Sequence, residues 1–170
     1  MKQLVITIIG ADRPGLVEQV SNAVLEHQGS WQASRFSKLS GYFAGILQIA
    51  VQESHIPALT AALKGISDLD IQISEPSVKA PADTATHQLT VTGNDRPGIV
   101  QEATRVLAGL GINIIKLITH TESAANTATM MFVARFDLNT DKESDLDSLQ
   151  DALEALSDDL IVELESPGTE

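Results

Sequence analysis

The sequence contains no cysteine, few aromatic residues, few cations and no long hydrophobic run. Without cysteine there can be no disulfides, thiolate catalysis or cysteine-based metal sites. No apolar run reaches the ~18 residues of a membrane helix, so we expect no membrane association and a soluble, cytoplasmic protein. Lys and Arg number 11 against 23 Asp and Glu, which gives a formal net charge of -12 at pH 7. Since nonspecific affinity for nucleic acid comes from neutralising phosphates, direct DNA or RNA binding is disfavoured, and a regulatory role is expected to act through another protein.

The negative charge is concentrated in the second half of the chain. Residues 1–76 have a net charge of -2, and residues 77–170 have a net charge of -10. A solvated helix face explains this excess, and a docking surface for a basic partner is the alternative.

A six-residue sequence occurs twice. Residues 10–15 read Gly-Ala-Asp-Arg-Pro-Gly and residues 93–98 read Gly-Asn-Asp-Arg-Pro-Gly, each between a strand pattern and a helix pattern. We expect the proline to open the helix, the aspartate to lie near the N-cap, and the last glycine to let a small anion or zwitterion reach backbone N–H groups. A plain turn is the alternative. The candidate ligand-binding residues are Asp12, Arg13, Pro14 and Gly15 in the first loop, and Asn94, Asp95, Arg96, Pro97 and Gly98 in the second.

Each half predicts the element order βαββαβ. The strand patterns cover residues 4–9, 31–39, 42–51, 69–73, 88–92, 112–120, 127–136 and 160–165. Ser40-Gly41 indicates a tight hairpin, Ser54 a helix cap, and Thr140 with Glu143 a capping box. We therefore predict an α+β fold of two tandem ferredoxin-like domains, each an antiparallel sheet with both helices on one face. The predicted domains are residues 1–75 and 87–166, with a linker at 76–86 and a tail at 167–170.

The second strand of each predicted unit lies at a sheet edge, and an open edge favours pairing with another strand. We therefore expect residues 31–39 to lie beside residues 112–118, which would join the two sheets into one of eight strands.

A βαββαβ unit with Asp-Arg-Pro-Gly after its first strand resembles the ACT domain, a small-molecule regulatory module of amino-acid metabolism. Nearly the whole chain is covered by two such copies, with no attached enzyme. In this it is similar to the glycine cleavage system transcriptional repressor family. That resemblance implies a cytoplasmic protein that restrains a DNA-binding transcriptional activator without binding DNA itself, with a small amino acid, glycine favoured, relieving the restraint.

The resemblance also implies site residues. In amino-acid-binding ACT domains, the residue before Arg-Pro-Gly and an Asn early in the second strand hold the ligand across a domain interface. These positions are Asp12 and Asp95, with Asn113 in the second copy and Gln32, beside Trp31, in the first. We expect unequal sites and favour the second loop. Aspartates would suit the ammonium group of a ligand better than its carboxylate.

An enzymatic role has little support. His27, His55, His87 and His120 have no spacing typical of a metal site, and no serine or threonine has a recognisable catalytic base. We expect no catalytic residue, metal or cofactor. The alternative function is a regulatory subunit that confers amino-acid feedback on a biosynthetic enzyme. The sequence leaves open which amino acid binds, how many sites are occupied, and whether the chain forms a homo-oligomer.

Overall fold

A computed structural model describes residues 1–76, 85–124, 129–140 and 144–166, with only the backbone described at 144 and 145. The chain divides into two compact units, Met1–Lys79 and Ala80–Glu170. Most of the linker predicted at 76–86, and the tail predicted at 167–170, lie outside the described residues. The domain bounds given above therefore stay predictions.

The first unit has the predicted order of strands and helices. Its elements are β1 (Lys2–Ala11), α1 (Leu16–Glu26), β2 (Ser30–Leu39), β3 (Tyr42–Val51), α2 (Ile56–Lys64) and β4 (Leu69–Ser74). Antiparallel pairing gives the sheet order β2-β3-β1-β4. The loop that follows β1 therefore leaves from an inner strand of the sheet.

The second unit repeats this arrangement. Its elements are β5 (His87–Asn94), α3 (Ile99–Gly109), β6 (Asn113–Ser123), β7 (Met130–Asn139), α4 (Ser144–Glu154) and β8 (Ile161–Glu165). The sheet order is β6-β7-β5-β8, again antiparallel. The prediction of two tandem ferredoxin-like domains is confirmed.

Alternation along the inner strands places the core on one face of each sheet. Leu4, Ile6 and Ile8 of β1 are at most 2% exposed and pack against Val20 of α1 and Leu59 of α2. Because both helices contribute to this one cluster, they cover the same face of the sheet. The second unit has an equivalent cluster formed by β5, β7, α3 and α4.

The edge strands β2 and β6 each carry a β-bulge at the same point, between Trp31 and Ala33 and between Ile114 and Lys116. Bulges twist an edge strand and interrupt its regular pairing. The described strands form two four-stranded sheets. The expected pairing of residues 31–39 with residues 112–118 concerns how the two units are arranged and stays a prediction.

One of the two predicted helix caps is not formed, and the other is not tested. Ser54 lies inside a short 3-10 turn, Glu53–His55, and α2 begins after it with no side-chain cap and with Pro57 in its first turn. The predicted capping box of α4 includes Glu143, which lies outside the described residues.

Candidate functional site

The two Asp-Arg-Pro-Gly loops occupy equivalent places, between the first strand and the first helix of each unit. The helices that follow them, α1 and α3, are both 11 residues long. Leu16 and Ile99 begin these helices, and each follows a glycine with a positive φ, 86° at Gly15 and 98° at Gly98. Backbone with that φ is costly for any residue with a β-carbon, so the final glycine of the motif is required by the turn itself.

This geometry corrects the predicted role of the prolines. The N-cap residues are Gly15 and Gly98, so Pro14 and Pro97 precede the cap and do not open the helical turn. Neither helix has a side-chain hydrogen bond at its cap. Asp12 and Asp95 therefore do not cap the helices, because the proline and the left-handed glycine separate them from the first turn.

The aspartates instead join each loop to a neighbouring hairpin through the backbone. The Asp12 N–H donates to the Gly41 carbonyl at 2.8 Å, and the Asp95 N–H donates to the Met130 carbonyl at 2.9 Å. The main chain of each loop is thus fixed, and the aspartate side chains project from a defined point.

Carboxylates lie close to both helix starts. A β-carbon added at Gly15 would be 3.9 Å from a Glu18 carboxylate oxygen, and one added at Gly98 would be 3.6 Å from Glu102. Acidic groups in a first helical turn interact favourably with the helix dipole. The same carboxylates repel the carboxylate of a ligand, so an ammonium group fits these helix starts better than an anion does.

The loop arginines are held by the protein. Both Arg96 nitrogens Nη1 and Nη2 donate to the Glu102 carboxylate, at 3.1 and 2.7 Å. The hydrogen bond from Arg96 lowers the pKa of Glu102, and the same bond raises the pKa of Arg96. The guanidinium is therefore committed to the helix that it precedes.

The first loop has a weaker version of this contact. Gln19 takes the place of Glu102, and Arg13 donates to its amide oxygen at 3.2 Å and to the Ser67 carbonyl at 3.4 Å. The Asp68 carboxylate lies 3.9 Å from the Arg13 Nε. Both arginines thus orient the loop on its own unit rather than project freely toward a ligand.

The two aspartates differ in their partners. The Asp12 carboxylate forms an ion pair with Lys38 of β2, and its side chain is only 26% exposed. Among the residues that the structure describes, the carboxylate of Asp95 has no ion-pair or hydrogen-bond partner. Asp95 is also exposed to solvent. The strand position that matches Lys38 is Thr121, since both follow the equivalent bulges by the same number of residues. The second loop therefore offers a free carboxylate and the first does not.

Asn94 anchors the second loop on its other side. Its backbone N–H donates to the Asp159 carboxylate at 3.3 Å, and the Ser157 hydroxyl donates to the other oxygen of that carboxylate. The Ser157 hydrogen bond lowers the pKa of Asp159, so the group stays ionised beside the loop.

Gln32 is not the structural counterpart of Asn113. Asn113 begins β6 and pairs with Asn139, whereas Ser30 begins β2 and pairs with Ala50. Gln32 is the extra residue of the bulge, and its side-chain amide donates to the Ser30 hydroxyl at 2.8 Å. Both strands carry the bulge at the same place, so Ser30 is the counterpart of Asn113 and the predicted equivalence is off by two residues.

Within each unit, the Asp-Arg-Pro-Gly loop and the first residues of the second strand lie at opposite ends of the sheet. Asn113 lies level with the His87 end of β5, whereas Asp95 follows its Asn94 end. Seven residues of extended strand separate these levels, about 24 Å. Gln32 and Asp12 lie at opposite ends of the first sheet for the same reason. A ligand site that uses both the loop aspartate and the residue at the start of the second strand therefore cannot be formed by one unit alone.

An open groove of about 490 Å³ lies over the first turn of α3. Its lining residues are Arg96, Gly98, Ile99, Val100, Gln101, Thr104 and Phe132. Gln101, Thr104 and Phe132 were not among the predicted site residues, although the first two follow Gly98 at helical spacing. Lys38 was also missed as a site residue, and only the strand register reveals its position opposite Asp12.

Other kinds of site find no support in the described part of the chain. No three His, Asp or Glu residues there are grouped as metal ligands would be. None of its helices is long and apolar enough to cross a membrane.

Comparisons with known proteins agree with the fold. Family models described as the ACT domain match residues 2–74 and 87–158. The chain is 26% identical over 162 residues to the glycine cleavage system transcriptional repressor of Escherichia coli K12, covering 92% of this chain and 85% of that protein.

Two solved structures match almost the whole chain. A protein of unknown function from Galdieria sulphuraria superposes with a TM-score of 0.81 at 26% identity, covering 98% of this chain and 99% of that one. A protein provisionally named a glycine cleavage system transcriptional repressor gives a TM-score of 0.69 at 22% identity, covering 97% and 98%.

Proposed function

The chain belongs to the ACT-domain family, and from that premise we propose that it is an amino-acid-responsive regulator of glycine cleavage operon transcription. In this proposal it restrains a DNA-binding activator by binding that protein, and a small amino acid, glycine first among the candidates, relieves the restraint. Support comes from its distant relationship, along 92% of its length, to a transcriptional repressor of that system.

The charge of the protein supports action through a protein partner. The chain has a formal net charge of -12. Lys2, Arg13, Lys38 and Arg96 are already paired with acidic side chains. The excess of acidic residues would therefore repel a phosphate backbone.

The unpaired Asp95 carboxylate is the observation that supports binding of an amino acid. It can accept charge-assisted hydrogen bonds from an ammonium group, while the groove at Gly98 provides backbone and apolar surface for the rest of a small amino acid. Two or three such bonds, each worth roughly 1.5–3 kcal/mol, must offset an association cost of several kcal/mol. Binding near -4 to -6 kcal/mol, or tens of micromolar to millimolar, would suit a sensor of an abundant metabolite.

Calorimetry with glycine, serine and the branched-chain amino acids tests the ligand. Asp95→Asn is expected to abolish the heat of binding, and Asp12→Asn, the matched substitution in the first loop, is expected to leave it in place. Asn113→Ala reports whether the strand start contributes to the same site. No heat with any amino acid would refute the sensing role.

The partner is tested by affinity capture from cell extract with the full chain as bait. Recovery of a DNA-binding activator, released on adding glycine, supports the proposal. Recovery of a biosynthetic enzyme subunit would favour a feedback-regulatory subunit instead. A mobility shift of operon DNA by the purified chain alone would contradict the proposed mechanism.

A further inference from the structure

The sheet of the first unit has one face without helices. Because Leu4, Ile6 and Ile8 point into the core, the alternate residues of β1 and their cross-strand neighbours point away from it. We call these residues the outer face of the first sheet. Its members that matter here are Ile9, Arg35, Leu39, Tyr42, Ile46 and Asp70.

The centre of this outer face is apolar and exposed. Ile9 is 48% exposed, Ile46 is 46%, Tyr42 is 59% and Leu39 is 78%. Tyr42 pairs directly with Leu39, and both isoleucines lie on the adjacent strands β1 and β3, one diagonal step apart. Contiguous exposed apolar side chains of this size mark an interaction surface.

The second unit carries different residues at the matching positions of its sheet. Strand pairing places Thr92 at the position of Ile9 and Arg135 at the position of Ile46. Glu122 takes the position of Leu39. The outer face of the second sheet has exposed apolar side chains at other positions, since Ile118 (49% exposed) stands in the place of Arg35 and Ile161 (58% exposed) in the place of Asp70.

Charged residues flank the apolar centre on both sides. Arg35 lies on the edge strand β2, and Asp70 lies on the opposite edge strand β4. Neither side chain has an ion-pair partner within the described ranges. Their levels differ by two residues along the strands, about 7 Å, which a long Arg side chain can span.

We propose that the outer face of the first sheet packs against the same face of a second copy of this chain. A two-fold axis along the strands lays β2 of one copy over β4 of the other, so Arg35 of each chain meets Asp70 of the other around the apolar centre. The first half carries only -2 of the total -12 charge, so two copies can approach here with the least repulsion.

The size of the face fits a modest dimer. Three strands of ten residues and the six-residue β4, spaced about 4.8 Å apart at about 3.3 Å per residue, give about 570 Å² per copy. The pair therefore buries on the order of 1,200 Å², the lower end of the range for specific interfaces. This inference does not depend on amino-acid binding.

Light scattering after size exclusion, at about 100 µM full-length protein, tests the dimer. The expected mass is about 36 kDa, twice the 18.1 kDa of the chain. Ile9→Lys is expected to weaken the dimer at least tenfold and to give the monomer mass at the same concentration. Thr92→Lys, the same substitution at the matched position of the second sheet, is expected to leave the dimer intact. Circular dichroism confirms that each variant is folded.

A charge exchange tests the two-fold arrangement separately. Arg35→Asp and Asp70→Arg are each expected to weaken the dimer, and the double variant to restore it. A monomeric wild type at this concentration would overturn the proposal, as would a dimer that withstands Ile9→Lys or one that Thr92→Lys breaks. A double variant no tighter than the singles would overturn the two-fold pairing.

Discussion

Replacing Gly98 by alanine tests whether the second loop depends on its left-handed turn. Gly98 has a φ of 98°, and no side-chain cap bond supports the helix start. A residue with a β-carbon costs about 1–2 kcal/mol in that conformation. The space around an added β-carbon is not limiting, since the nearest atom is a Glu102 oxygen at 3.6 Å. Gly98→Ala should therefore lower the free energy of unfolding by about 1–2 kcal/mol through backbone strain alone.

Gly109 provides the matched control in the same helix. It lies in the last turn of α3, and an added β-carbon there would meet no atom within 4 Å. Gly109→Ala should stabilise the protein by about 0.5–1 kcal/mol, because alanine loses less conformational freedom on folding than glycine does. The same chemical change, made at the two ends of one helix, is thus expected to have opposite signs.

Scanning calorimetry and urea titration followed by circular dichroism measure both variants. For a domain of this size, 1 kcal/mol shifts Tm by roughly 4–8 °C. The single tryptophan, Trp31, and the single tyrosine, Tyr42, lie in the first unit, so their fluorescence reports on that unit alone. Gly98→Ala matching or exceeding wild-type stability, or shifting Tm in the same direction as Gly109→Ala, would refute the reasoning.

Three further outcomes are expected. Lys38→Thr removes the partner of the Asp12 carboxylate and should raise the stoichiometry of glycine binding measured by calorimetry, from one site per chain toward two; an unchanged value would contradict silencing of the first loop by Lys38. In the folded protein the hydrogen bond from Arg96 holds the pKa of Glu102 below its ordinary value of 4.5. The ionised Glu102 therefore contributes its full stabilisation above about pH 4.5. That stabilisation is lost as the pH falls through the pKa that Glu102 has in the folded state. Acid unfolding of Glu102→Gln should therefore depend less on pH below 4.5 than that of wild type, and equal slopes would exclude this pair as a source of acid sensitivity. Phe136→Ala empties a fully buried position and should cost about 3–5 kcal/mol in urea unfolding; a loss below 1 kcal/mol would show that the core collapses around the gap.

Patterns within a strand or a tight turn predicted their structures well. The run Tyr42–Val51 forms a strand with the predicted bounds. Ser40 and Gly41 adopt φ values of 49° and 81°, as a two-residue hairpin turn with both residues left-handed requires. Local preference and burial point in the same direction at these places, so the sequence was sufficient.

The candidate site was harder to predict because its geometry depends on contacts between distant residues. The bulge that contains Gln32 arises from pairing with β3, and nothing in the local pattern marks it. The ion pair between Asp12 and Lys38 likewise depends on strand register. Pro14 fits either the first helical turn or the position before the cap, and only the left-handed Gly15 decides between them.

Strand β7 begins beside the Asp95 loop, since the carbonyl of its first residue, Met130, accepts the Asp95 N–H. The chain has no thiol of its own, so a cysteine introduced at Ala124 would be its single attachment point for a dye. A fluorophore placed there would report optically on events at the second loop, without any change to the strands that hold it.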